Sequence, residues 1–465
     1  MEVKDQDLAK LVKTIAEKLL AEADGGAAEA AAPKDEVTVL TEKAKKAQAI
    51  WHTQFNIAQK SAVIAKLRAD LRPHVEELAE MAWKETKMGR LEDKIAKKIV
   101  AIEKTPGPEW FTTKATSGDN GLVLEELSPF GVIASICPST NPVASIINNT
   151  ICMISGGNAI VFAPHPGAVK CTQKAVEIVM KSLKESGAPD GLVSALQNVS
   201  LDAMNALMTH PNVNMISATG GPGVVKAALQ SGKPAIGAGP GNPPVVVDET
   251  ADIAKAAVDI IKGSSFDNNL QCIAEKEIIA VNCIADELKE QMLKNGAFEV
   301  KDPAKIEELL KLTLVKGKPN RDYVGRNAQV ILEKIGYKVG ANIRIILVET
   351  DEMHPFAQEE MLMPILPLIR AADFNEALAM AKRLEHGFRH SACIHSKNVD
   401  NMSRMAREMQ TTMFVKNSAS LASIGVGGDC PTAFTIATAT GQGPTTPASF
   451  CRVRRCVLHG SFRII

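Results

Sequence analysis

The sequence predicts an α/β protein in which parallel strands form open sheets with helices on both faces. Three observations carry this. Past residue 127, short apolar strand-like runs alternate with longer amphipathic ones: GVIASIC leads into PVASIINNTICMIS, and NAIVFAP into GAVKCTQKAVEIVMKSLKESG. Glycine-bearing loops follow strands at SATGGPG (217–223), GAGPGNPP (237–244) and ASIGVGG (422–428). A chain of 465 residues also exceeds a single core, so two or three domains are expected.

Taken in order, DLAKLVKTIAEKLLAE (7–22) places Leu8, Leu11, Val12, Ile15 and Leu19 on one helical face, with charges opposite. ADGGAAEAAAPKDE (23–36) reads as a flexible tether. A short isolated helix is marginal in water, so this one is expected to dock on its own chain or on a partner. From Val37 to Ala101 the pattern is helical and rich in Ala, Lys and Glu, and TPGPEW breaks it. GDNGLVLEELSPFG (118–131) reads as a hairpin turning on Asn-Gly. LVSALQN, NMISATG and KPAIGAG add short strands, and PVVVDETADIAKAAVDIIKG repeats the strand–helix unit. A second α/β region is expected from about Cys272 to Ser420, and RVRRCVLHGSFRII closes the chain as a basic, strand-like tail. Ligands are expected at the carboxyl ends of the strands.

Composition excludes several classes of function. Fifty-three basic residues balance 53 acidic ones, which argues against nucleic acid or a membrane surface as the main partner. No apolar run approaches the ~20 residues that span a bilayer. Nine cysteines are scattered singly with no CxxC pair, the usage of a reducing, cytosolic compartment. No secretory leader is visible at the start of the sequence.

The stretch SSFDNNLQC (264–272) ends in a thiol with no second cysteine nearby. Such a cysteine is either a small core residue or a nucleophile. CPSTNP (137–142) offers Asn141 at a strand end, where it can cap a helix beginning at Pro142 or aim an amide N–H at an oxyanion. His386, His390 and His395 lie in EHGFRHSACIHS, but a helix end followed by a strand separates them, so no metal site is expected. Neither G-x-G-x-x-G nor a P-loop occurs.

PSTNP, SATGG, FDNNLQC and EEMLMPILP together resemble motifs of the aldehyde dehydrogenase superfamily over about Val37 to Ile465. GAGPGNPPVVVDETAD and FVKNSAS resemble its CoA-acylating branch. The resemblance implies two Rossmann-like open-sheet domains plus a small oligomerisation flap. A cofactor-binding domain would span 37–109 and 127–238, a catalytic domain 239–430, and the flap 110–126 and 440–465. It makes Cys272 the nucleophile and gives the oxyanion to Asn141 and the Cys272 N–H. It gives the nicotinamide ribose to Glu360, in the Glu360–Pro364 segment, and the pyrophosphate to Thr219, Gly220 and Gly221. Ala163, Pro164 and His165 would line the adenosine pocket, and Thr140, Ile424 and Val426 the aldehyde pocket.

Two departures sharpen the reading. Gly237 stands where hydrolytic members carry a water-activating glutamate. A general base is worth typically ~10²–10⁴-fold, so a thiol acceptor, CoA, is favoured over water. Ala163 replaces a lysine beside the adenosine ribose, which favours NAD over NADP. The implied reaction is reversible and ping-pong: a short aldehyde (propionaldehyde or acetaldehyde), NAD⁺ and CoA give acyl-CoA and NADH. The competing expectations are a hydrolytic dehydrogenase and a non-catalytic assembly scaffold. Residues 1–24 resemble the encapsulation peptides of bacterial microcompartment enzymes, implying a shell or core partner and a microcompartment within a bacterial cytoplasm. The tail implies a homodimer or homotetramer.

Overall fold

A computed structural model describes residues 33–460 and 462–464. The expected helix at 1–24 and the start of the expected 25–36 linker lie outside these residues. The end of that linker is helix instead. Pro33 opens α1 (Pro33–Gln54), because a proline at the first helical position already has the required φ and loses no hydrogen bond there; Asp35 and Glu36 in the first turn favour the helix dipole. The helices α2 (Ile57–Leu71), α3 (Val75–Thr86) and α4 (Leu91–Lys104) follow. Trp51 of α1 is fully buried and donates its indole N–H to the Ile154 carbonyl at 2.9 Å, which seats these helices on the first sheet domain.

The hairpin pairs β1 (Lys114–Gly118) with β2 (Gly121–Pro129). Its register puts Gly118 opposite Gly121, so the turn is Asp119–Asn120 and not Asn-Gly; Gly121 is already a paired strand residue. The first sheet contains β3 (Val132–Ile136), β4 (Ala159–Ala163), β5 (Val193–Ala195), β6 (Val213–Thr219) and β7 (Ala235–Ala238). It is wholly parallel, in the order β5-β4-β3-β6-β7. Its connections are α5 (Pro142–Ser155), α6 (Val169–Glu185), α7 (Leu201–Thr209) and α8 (Pro222–Gln230). Every residue of β3 and β4 is buried, which is why VIASI and AIVFA read as unbroken apolar runs.

The second sheet has seven parallel strands. They are β8 (Pro244–Val247), β9 (Glu277–Val281), β10 (Ala297–Glu299), β11 (Ile345–Glu349), β12 (Ile365–Ala371), β13 (Ser391–His395) and β14 (Met413–Lys416). Their order is β10-β11-β12-β9-β8-β13-β14. The sheet therefore takes its first strand from Pro244, well ahead of the expected start near Cys272. The final strand, β15 (Cys451–His459), pairs antiparallel with β2 to complete a three-stranded flap.

One expectation needs revising because of how the sheets join. β7 ends at Ala238 and β8 begins at Pro244, so the short link sets the amino edge of the second sheet against the carboxyl edge of the first. Asn141, Ala163 and Thr219 do lie at carboxyl ends, those of β3, β4 and β6. Gly241, Cys272, Glu360 and His390 precede β8, β9, β12 and β13, at amino ends. In a parallel sheet all strand starts share one edge, so a single crossover fixes all four.

Candidate active site

The loop before Cys272 is held in an unusual backbone. Asp267, Asn268 and Asn269 have φ of 49°, 56° and 66°, three left-handed residues in succession. Asp and Asn tolerate this region best among side-chain-bearing residues, because their short polar groups bond locally. Here each is pinned. Asn268 Oδ1 accepts from Arg90 Nε at 2.8 Å, and Asn269 Nδ2 donates to the Ser264 and Glu275 carbonyls at 2.8 and 3.0 Å. Asp267, fully buried, accepts from the Arg90 N–H at 2.8 Å and pairs with Lys94 at 3.2 Å and with Lys97.

Cys272 is half-buried at the end of this loop. Burial first, then the Glu360 carboxylate, push its thiol up to about 12, while the Lys276 ammonium pulls it down. Lys276 is buried behind the loop and donates to Asn269 O at 2.9 Å, Asn269 Oδ1 at 2.5 Å and Gln271 O at 3.2 Å. Cys272 also joins an apolar cluster with Phe266, Ile424, Val426 and Ile436, so two of the three expected pocket residues pack in the nucleophile's own cluster.

Asn141 precedes Pro142 of α5, yet its side chain makes no capping bond to that helix. Its Oδ1 instead accepts from Lys97 Nζ at 2.6 Å, and its Nδ2 makes only a long 3.4 Å contact with Thr140 Oγ1. Of the two expectations for Asn141, capping is thus the one the geometry rejects.

Gly241 fills the space between the two remaining elements. A Cβ there would fall 2.7 Å from His390 Cγ and 3.0 Å from the Cys272 carbonyl, so only glycine lets the chain approach the nucleophile loop so closely. Its N–H donates to Glu360, whose carboxyl is raised by burial and lowered by Lys276. His390 is buried; desolvation pushes it down to about 3, so it is a neutral imidazole, with Nδ1 on Ser391 Oγ at 2.8 Å and Nε2 unpartnered. His386 is exposed on the Gln358 carbonyl and His395 lies buried at the far end of β13, so the three histidines do not converge.

At the first sheet, Thr219 ends β6 and Gly221 precedes α8, which has no side-chain cap and no acid in its first turn. A Cβ at Gly221 or Gly223 would meet nothing within 4 Å. An uncapped helix start fits an anion such as a pyrophosphate, with Gly221 and Gly223 as its candidate donors, since Gly220 gives its N–H to the Ala238 carbonyl at 3.2 Å and Pro222 has none. A cavity of about 400 Å³ adjoins α8, bounded by Pro222, Val225, Gly239, Pro240, Phe388 and Ala439. Ala163 and Pro164 are buried at the end of β4, and His165 is exposed, accepting the Gly167 N–H on Nδ1 at 3.0 Å. Gly237 carries no side chain and so no carboxylate, and a Cβ there would lie 2.7 Å from Val225 Cγ1, so a larger residue would require that side chain to shift. Pro364 precedes β12 on the segment that carries Glu360.

Sequence reasoning missed Lys97 and Lys276 and gave His390 no role. The burial of all three depends on partners distant in the chain; the only local signal is a lysine or histidine adjoining an otherwise apolar strand or helix face.

A profile of the aldehyde dehydrogenase family matches residues 21–428. The acetaldehyde dehydrogenase (acetylating) EutE of Escherichia coli strain K12 is 44% identical over 418 residues, 88% of this chain and 89% of that protein. A Rhodopseudomonas palustris propionaldehyde dehydrogenase, solved with bound CoA and an acylated cysteine, superposes with a TM-score of 0.90 at 47% identity, covering 91% and 97% of the two chains. A propionaldehyde dehydrogenase from the Clostridium phytofermentans fucose utilisation bacterial microcompartment gives 0.90 at 46%, covering 92% and 98%.

Proposed function

The chain belongs to the aldehyde dehydrogenase family, and on that premise we propose that it is a CoA-acylating aldehyde dehydrogenase acting on a short-chain aldehyde, propionaldehyde or acetaldehyde. The observation that carries the choice of acceptor is the pair formed by Cys272, at the end of a loop of left-handed residues, and Gly237, which supplies no water-activating carboxylate.

Cys272 Sγ attacks the aldehyde carbonyl as its proton passes to solvent, and Asn141 Nδ2 and the Cys272 N–H receive the oxyanion. Bound NAD⁺ supplies the acceptor for the two electrons and the hydrogen lost from the former aldehyde carbon. The start of α8 at Thr219, Gly220 and Gly221 would hold its pyrophosphate; Glu360, with Pro364 setting the course of its segment, would hold the nicotinamide ribose; and Ala163, Pro164 and His165 would border the adenosine. Alanine at 163 itself offers a ribose phosphate no cation, which favours NAD over NADP, while Arg321 acts on the neighbouring His165. The product on the enzyme is a Cys272 thioester, which the CoA thiol cleaves to release acyl-CoA and restore the cysteine. The neutral His390 lies beside the nucleophile loop with Nε2 unpartnered, but burial draws it down to about 3, too weak a base in the ligand-free protein to hold a thiol proton. Ile424 and Val426, in the apolar cluster around Cys272, and Thr140, beside Asn141, would bound the acyl group and limit its length.

Intact-mass measurement after adding propionaldehyde and NAD⁺ without CoA tests this reading. One acyl group on Cys272 that CoA then removes is expected; its absence would sink the proposal.

Two features bear on assembly. β15 pairs with β2 along one edge and exposes Val453, Val457 and Leu458 along the strand, as an edge awaiting a second copy would. The enzyme is proposed to be a homodimer or homotetramer through this flap. Residues 1–24 are proposed to attach it to a microcompartment shell or core protein inside a bacterial cytoplasm. If deleting them left co-purification with shells unchanged, that attachment would be wrong.

A further inference from the structure

We propose that Lys97 is a positioning residue that fixes the orientation of the Asn141 amide and, through it, the oxyanion site; the inference rests on the acylating reading above. Lys97 lies on α4 with a side chain only 3% exposed. Its ammonium donates to Asn141 Oδ1 at 2.6 Å and to the Asp267 carboxylate, and comes within 3.5 Å of the Thr140 carbonyl. An ammonium has three hydrogens and no lone pair, so it tolerates an amide in one orientation only: oxygen inward, NH₂ outward. Without it, the broad terminal torsion of asparagine leaves either face available.

The outward NH₂ has only the 3.4 Å contact with the Thr140 hydroxyl, so it keeps a hydrogen to give to an oxyanion. The inward oxygen is directed at Lys97, and Asn141 makes no side-chain cap to α5.

Lys97 is itself held from the other side. Asp267 belongs to the loop that ends at Cys272, and it is fixed by the Arg90 N–H at 2.8 Å and by Lys94 at 3.2 Å. One buried ammonium therefore ties the oxyanion donor, at the end of the first sheet, to the nucleophile loop, at the start of the second. Burial draws this ammonium down to about 8, with Asp267 opposing, so it stays mainly protonated at neutral pH; the neutral amine formed above that has a lone pair and no longer enforces one orientation.

The test is a double-mutant cycle read in the first half-reaction, the burst of NADH from aldehyde and NAD⁺ without CoA. Lys97→Met is expected to slow the burst about 10–100-fold with the aldehyde KM changed less than about threefold, as expected when a donor is misplaced rather than the pocket lost. Asn141→Ala is expected to cost about 10²–10³-fold. The double variant should be within about threefold of Asn141→Ala alone, since the inference routes the effect of Lys97 on this step through Asn141 and not through its other partner, Asp267. A double variant that loses the product of the two single effects, or a Lys97→Met burst at the wild-type rate, overturns the inference. A crystal structure of the unsubstituted enzyme gives a second readout independent of folding of the variants. Lys97 Nζ within hydrogen-bond distance of the Asn141 side chain supports the inference, and a separation beyond about 3.5 Å overturns it. If the wild type gives no burst, the acylating function falls and this inference with it; an additive cycle beside a normal wild-type burst removes Lys97 alone.

Discussion

At Cys272 the decisive quantity is the fraction of thiolate. Burial and Glu360 push the thiol up to about 12 against the nearby Lys276, so the ligand-free protein carries almost all of it protonated at neutral pH. The sign follows directly: raising the pH creates thiolate, about tenfold more for each unit until the thiol titrates. Alkylation of ligand-free enzyme by iodoacetamide should therefore rise with a slope near one between pH 7 and 10. A plateau below pH 9 would mean that the thiol is activated before any ligand binds. Gly241 makes a second residue-scale prediction. Gly241→Ala forces a methyl group to within 2.7 Å of His390 Cγ and 3.0 Å of the Cys272 carbonyl. Overpacking of this kind costs about 1–3 kcal/mol, so a lower Tm is expected, together with a kcat at least about tenfold below wild type. Unchanged kcat would show that the loop is not held against Gly241. The identity of Cys272 as a candidate was legible in FDNNLQC, whereas its protonation was not, because that depends on Glu360 and Lys276 arriving from other segments.

At the scale of elements, local pattern and long-range pairing divide what a sequence reveals. PVASIINNTICMIS marks α5 to its last residue, since proline opens it and glycine follows it. The strands of the first sheet were equally plain as short β-branched runs. α4 was not. Lys94, Lys97 and Lys98 sit at helical spacing that reads as a solvated face, yet all three are buried. Their counter-charge is Asp267, about 170 positions further on, and no local pattern announces such a pairing. Asp267→Leu is accordingly expected to be more damaging than loss of a surface ion pair. Breaking a buried pair from one side costs about 3–5 kcal/mol, because it strands the remaining charges. A Tm within a degree or two of wild type would contradict that account of α4. The amino-edge location of Cys272 and Glu360 was likewise missed, since it follows from the short β7–β8 link rather than from any motif.

For the whole molecule, the flap and the junction of the sheets make separate predictions. Val453→Lys with Val457→Lys on β15 should shift the enzyme toward monomer in sedimentation equilibrium, because lysine discourages edge pairing without disturbing the β2 register. An unchanged mass would place the subunit interface elsewhere. At the junction Lys97 ties Asn141 to Asp267, in the loop that ends at Cys272, and Gly237 supplies no carboxylate, so the proposed site leaves a thiol rather than water to finish the reaction. The most direct test of that claim is NADH formation from propionaldehyde and NAD⁺, with and without CoA, in wild type and Cys272→Ala. The account predicts sustained turnover only with CoA, acyl-CoA as the product, and none in the variant. Equal turnover without CoA, yielding the free acid, would contradict it and point to another carboxylate, Glu360 foremost, as the base that Gly237 cannot be.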